Sequence, residues 1–251
     1  MDCDKLLTLG TEMGRLLMTS GAEIYRVEES MSRLLVAYGM DPQVFAIPSC
    51  IIVSITTPQG QPITRMVRIP AHGTDIELLE RCNQLCRQLC AHPLPVDKAL
   101  KLVSGLTQSR TYSTGGLLLS YPVAAAFFGM FFGGGLMDGV GAFLCGLAIG
   151  LFLLFGQRIT GSNAFLRTAI CAAVAAALAM ALVPIGLGHR VESVTIGGLM
   201  VLVPGVALTN AMREIMAGDI ISGVNRTAEA FLIASSIALG AAAPMVISRM
   251  F

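Results

Sequence analysis

Charge is scarce in this sequence. Only 13% of its 251 residues are Asp, Glu, Lys or Arg, and the formal net charge is +1. So small a balance lacks the basic footprint of a nucleic-acid binder, and it gives no reason to expect an acidic partner. The fingerprints of nucleotide-binding and hydrolytic enzymes are also missing: there is no G-x-G-x-x-G, P-loop, G-x-S-x-G or H-E-x-x-H. The three histidines lie outside the long apolar runs, so those runs offer no nucleophile–base or metal pairing and an enzyme is not expected. The opening "MDCDKLLTLG" has acidic first residues and a short, interrupted apolar run, which is not a signal-peptide pattern. The seven cysteines are odd in number and include no C-x-x-C, which fits free thiols in a reducing compartment. Cys82, Cys86 and Cys90 recur at i, i+4, i+8 and read as small buried groups of one helix face. Neither a metal nor a cofactor is expected.

Apolar residues are abundant. Mean hydropathy is +0.72, the range of membrane proteins. The charges are unevenly spread: residues 1–110 hold 11 basic and 11 acidic side chains, and the rest of the chain holds 6 and 5. The expected fold is therefore an α+β cytosolic N-terminal domain, 1–110, followed by an all-α membrane domain of five transmembrane helices, 111–251. The expected spans are 115–133, 136–155, 165–187, 192–212 and 227–248, each close to the ~20 residues that cross a bilayer. Arg158, Arg167, Arg213 and Arg226, with the linker residues Lys98, Lys101 and Arg110, fall on one side of these spans. By the positive-inside rule they put the N-terminal domain in the cytoplasm and the C-terminus outside an inner (plasma) membrane. Gly-rich stretches such as "FFGMFFGGG" suit close helix packing.

Within the first part, Leu6 to Leu17 and Ile24 to Tyr38 repeat apolar residues at helical spacing, and Gly39 with Asp41-Pro42 stops the second helix. Between these helices lies the most charged short segment, "SGAEIYRVEES". Ser20 and Glu23 have the spacing of a capping box, and Glu23, Arg26, Glu29 and Arg33 can form a surface ladder. "VFAIPSCIIVSITTP" and "PITRMVRIP" read as a β-hairpin or part of a small sheet, and two helices follow, from Asp75 and from Val96.

The richest polar pattern in the apolar half is "VPGVALTNAMREIMAGDIISGVNRTAEA", 203–230. Pro204-Gly205 can break a span. Asn210, Arg213, Glu214, Asp219, Asn225, Arg226 and Glu229 crowd behind it. Ionisable groups in spans often mark substrate or ion paths, although a juxtamembrane loop would carry the same residues. Asp138, after Gly133-Gly134-Gly135, has two readings: proton carrier or helix cap.

Three motifs together resemble the threonine/serine exporter family: "GAEIYRVEES", "FGGGLMDGVGAF" and "PGVALTNAMREIMAGDIISGVNRTAEA". The resemblance implies secondary export from the cytoplasm. Full-length members carry a soluble N-terminal domain and two successive membrane halves. This chain is similar to the larger subunit of split, two-gene systems, which pair with a small membrane protein, and one such system is associated with succinate export. The expected function is export of threonine/serine-like amino acids or dicarboxylates such as succinate, coupled to the proton gradient, within an oligomer. The resemblance points to Gly21, Glu23, Tyr25, Arg26, Glu28 and Glu29 for gating or interaction. It points to Pro204, Gly205, Asn210, Arg213, Asp219, Gly223 and Arg226 for the substrate pathway. Asp138 and Glu229 are the expected proton carriers. The alternative is a membrane-anchored cytosolic sensor or assembly factor. An anchor needs only one or two plain apolar helices, which weighs against it.

Overall fold

The computed structural model describes residues 2–57, 59–70, 73–108, 112–156 and 163–250. Arg110 and Arg158, counted above in the charge bias, lie outside these described residues. The chain is mostly helical with one small sheet, and it divides into two compact units. The first comprises Met1–Thr111 with Val206–Thr227, and the second Tyr112–Gly205 with Ala228–Phe251. A single boundary near residue 110 would have put 206–227 with the apolar half; this segment instead packs with the N-terminal unit.

The first unit opens with α1 (Cys3–Thr19) and α2 (Ile24–Ala37). Each has one apolar stripe, and the stripes meet: Leu6, Leu9, Met13 and Leu17 of α1 are buried with Ile24, Val27, Met31 and Leu34 of α2. Three antiparallel strands follow in sequential order, β1 (Pro42–Ile47), β2 (Cys50–Thr56) and β3 (Pro62–Arg68). Ile51, Val53 and Ile55 of β2 alternate into the core, as period-2 patterning requires. The run expected to form one strand is two, because the chain turns at Pro48-Ser49 and pairs Ile47 with Cys50. Helices α3 (Ile76–Ala91) and α4 (Val96–Gly105) close the core with Cys82, Cys86, Leu89, Ala99 and Val103.

In the second unit, α5 (Thr114–Phe131), α6 (Leu136–Phe155) and α7 (Ala164–Leu182) are long and apolar enough to cross a membrane, as is α10 (Ile220–Met250), which begins in the first unit. Helix α8 (Val191–Met200) and helix α9 (Gly205–Ala217) qualify only if they count together as one broken span. Spans therefore number four or five among the described residues. Small residues let α5, α6 and α8 approach closely. A Cβ on Gly197 would sit 2.7 Å from the Gly129 Cα, and one on Gly146 would sit 2.6 Å from the Ala125 Cβ. This is the packing mode expected where lipid replaces the hydrophobic drive between helices.

Candidate functional site

Two helix-ending turns build the polar site of the first unit. At the end of α1, Gly21 has φ +96°, its N–H bonds Met18 O, and the Ala22 N–H bonds Leu17 O. At the end of α9, Gly218 has φ +97°, its N–H bonds Ile215 O, and the Asp219 N–H bonds Glu214 O. Both are Schellman turns, for which glycine is suited because it carries no Cβ into the left-handed region. A Cβ on Gly21 would also lie 2.7 Å from Gly73 O. The first turn ends α1 and presents the chain of residues 21–24. The second folds the start of α10 back on α9.

Glu214 and Arg226 meet in this corner. Arg226 Nε lies 3.2 Å from Glu214 Oε1, with side-chain exposures of 8% and 0%. That nitrogen is close enough for an ion pair but is not aligned as a hydrogen bond. Glu214 Oε1 also accepts the Ile24 N–H at 3.1 Å. Ile24 is the first residue of α2, so its N–H has no partner within the helix, and a carboxylate there also meets the positive end of the helix dipole. Arg226 Nη2 donates to Ala22 O at 2.8 Å. Asn210 Nδ2 donates to Gly21 O at 3.3 Å, and Arg213 Nη1 donates to Glu23 Oε1 at 3.2 Å. The first and third sequence motifs, about 190 residues apart, are thus one cluster. Gly223 allows the fold-back, since a Cβ there would sit 2.9 Å from Ala211 O.

The charged segment around Glu23 therefore serves several neighbours. The capping box is absent: Ser20 closes α1 and donates to Leu17 O, while Glu23 precedes α2 with its carboxylate turned to Arg213. Local spacing fitted a cap, but a partner from a distant segment takes the carboxylate. Tyr25 OH accepts from Arg26 Nε at 3.4 Å, and Arg26 lies 3.6 Å from Glu23. Glu29 bonds Arg33 in an exposed pair. Glu28 faces the sheet and accepts the Ala46 N–H at 2.7 Å; its burial raises its pKa above the ordinary carboxylate range, opposed in part by that bond and assisted by the nearby Asp219 charge.

In the second unit, Asp138 is 2% exposed and accepts three backbone N–H groups: Gly135 at 2.8 Å, His189 at 2.6 Å and Arg190 at 2.8 Å. It closes the start of α6 and fastens the chain entering α8. The Arg190 guanidinium bonds Gly133 O alongside. Pro204 and Gly205 stand where α8 has ended and α9 begins, and Glu229 is exposed on α10. The three cysteines of α3 pack as core, with the Cys86 thiol donating to Ser30 O. No metal-holding group of His, Cys, Asp and Glu occurs among the described residues.

The residues of the site that local pattern alone would miss are Ala22 and Ile24, which act through their backbone, and Glu214, whose role follows from its position opposite Ile24. Residues 8–248 match the family described as threonine/serine exporters, ThrE. The chain belongs to the ThrE family. It is accordingly a multi-pass membrane protein of an exporter family, and that family comprises transporters rather than enzymes. The match runs through both halves of the chain, so it lends no support to a separate soluble N-terminal domain. The chain is also 25% identical over 236 residues to "Pheromone-regulated membrane protein 10" of Debaryomyces hansenii. That alignment covers 91% of this chain but only 23% of the relative, so the chain spans about a quarter of the protein it resembles. No solved structure matches.

Proposed function

We propose that this ThrE member is a subunit of a secondary exporter that moves small polar metabolites out of the cytoplasm across the inner membrane. The solute is a threonine/serine-like amino acid or a dicarboxylate such as succinate. The N-terminal unit lies on the cytoplasmic side, and a small membrane partner subunit supplies further spans. The observation that carries this reading is the buried Arg226–Glu214 pair, which ties residues 21–24 to the charged segment behind an interrupted apolar run. Interrupted helices beside polar groups are a recurrent plan for transport sites. Arg226 is committed to internal partners, whereas Arg213 has 59% of its side chain exposed and is the cation a solute carboxylate can reach. Glu23, 3.2 Å from Arg213, would receive an ammonium. Asp138 is engaged by three backbone donors, which favours the first-unit cluster over Asp138 for proton coupling.

The test is efflux of labelled serine, threonine and succinate from cells lacking the gene, with the gene restored alone and together with the partner. Export of one solute should return on restoration and fall at least tenfold with Arg213→Gln. If no solute moves in any arm, the exporter reading fails.

A further inference from the structure

The cluster of the first unit holds more polar capacity than its partners satisfy. Glu214 is fully buried, yet among the described residues its Oε2 has no hydrogen-bond partner. The Asp219 Oδ2 atom is likewise buried and without a hydrogen-bond partner among the described residues, and the Asp219 carboxylate interacts with that of Glu214. An uncompensated buried oxygen is costly unless something else occupies it. A water or a cation would be such an occupant in principle; a proton is the smallest one, and two interacting carboxyls, one of them paired with a guanidinium, favour binding one.

We propose that Glu214 and Asp219 form the proton-binding site of this exporter, and that protonation of Glu214 releases the Arg226 clamp on residues 21–24. The inference rests on the transport reading for its purpose but not for its test. The charged groups facing Glu214 are Arg226 from α10, Asp219 from the turn, Glu23 ahead of α2 and, through Glu23, Arg213 and Arg26. Glu28 of α2 also interacts with the Asp219 charge.

The step conserves charge. One proton leaves water and bonds to Glu214 Oε2, and the carboxylate becomes a neutral acid. The ion pair with Arg226 Nε is then reduced to a charge–dipole contact. The Oε1 atom becomes a weaker acceptor for the Ile24 N–H, and the positive end of α2 loses its counter-charge. Loss of the same proton restores the clamp. Residues 21–24 and segment 206–227 therefore have a closed, ionised state and a loosened, protonated state.

Hydrogen exchange of the purified full chain in lipid nanodiscs reads this directly, whatever the solute. After correction for intrinsic rates, protection of the Ile24 amide should fall at least tenfold between pH 8 and pH 5.5. Glu214→Gln should show the low protection at every pH. Glu214→Asp should keep the pH dependence, and Asp219→Asn should move its midpoint downward, because one repelling charge is gone. Unchanged pH dependence in Glu214→Gln, or none in the wild type, overturns the proposal. If Glu214→Gln does not fold, the Asp219→Asn midpoint decides, and an unmoved midpoint rejects it. If none of serine, threonine or succinate moves in cells holding the wild-type chain and its partner, while the purified chain shows the amide pH dependence, the exporter reading is refuted and this site stands.

Discussion

Replacing Arg226 by Met keeps most of the side-chain stem and removes the guanidinium. The change leaves Glu214, with 0% exposure, as a buried carboxylate without its cation, and it removes the 2.8 Å bond to Ala22 O. Breaking one half of a buried pair typically costs about 3–5 kcal/mol, a figure that includes the lost charge-assisted bond. At about 1.4 kcal/mol per decade, opening of the contact between residues 21–24 and 206–227 should rise by ~10²–10⁴. Deleting both charges should behave differently. In the double variant Arg226→Met/Glu214→Leu no ion is stranded, so part of the loss should return, while the loss of partners for Ala22 O and the Ile24 N–H keeps the protein about 1–3 kcal/mol below wild type. The assay is thermal unfolding of the single and double variants, with native-state hydrogen exchange of amides 206–227 alongside. Equal losses in the single and double variants would show that the two side chains do not act as a pair, and an unperturbed single variant would show that the charge is not buried as described.

Gly223→Ala places a methyl group 2.9 Å from Ala211 O and should destabilise the α9–α10 fold-back by about 1–3 kcal/mol, measured by exchange of amides 206–227. Glu28→Gln keeps an acceptor for the Ala46 N–H but has no charge to bury. Because burial raises the Glu28 pKa, the folded state binds its proton more tightly than the unfolded chain. Stability is therefore highest below the unfolded value near 4.5 and declines as pH rises through the folded value. The Gln variant should lose that decline and be the more stable protein at neutral pH in pH-dependent melting. Burial lifts the Cys82 thiol to about 11 and the Cys86 thiol to about 12, so thiolate fractions at pH 8 are ~10⁻³ and ~10⁻⁴, and both should resist alkylation until the protein is denatured, as mass spectrometry of the labelled peptides would report.

What sequence reading reached, and what it did not, follows the range of the forces involved. Helical apolar periods located α1 and α2 because each helix buries one stripe, and long apolar runs located α5, α6 and α7 because lipid selects on composition. The split of the first β run at Pro48-Ser49 was hidden by the β-branched residues on either side, which satisfy strand preference whether or not the chain turns between them. The charged stretch 213–226, read as a connecting loop, is mostly helical and packs with the N-terminal unit. Its charges suggested solvent, but Arg213 meets Glu23, Glu214 and Arg226 pair with each other, and those two also bond backbone groups of residues 21–24. Such matching acts across some 190 residues of sequence and leaves no local period. Composition listed nearly every participant; only the fold says which side chains meet.

The magnitudes at this cluster favour a switch over a staple. Four hydrogen bonds of 2.8–3.3 Å hold residues 21–24; net contributions of about 1.5–3 kcal/mol are typical for the three with a charged partner and about 0.5–1.5 kcal/mol for the neutral Asn210 bond. Desolvation of Glu214 and Arg226 takes back much of that sum. What remains is a few kcal/mol, comparable with the ~5.5 kcal/mol needed to move a two-state equilibrium from 1:99 to 99:1. A purely apolar contact of the same size would hold the two segments as firmly, but neutralising one carboxyl would not release it. The buried charges therefore make this contact conditional, and the condition they impose is protonation of Glu214.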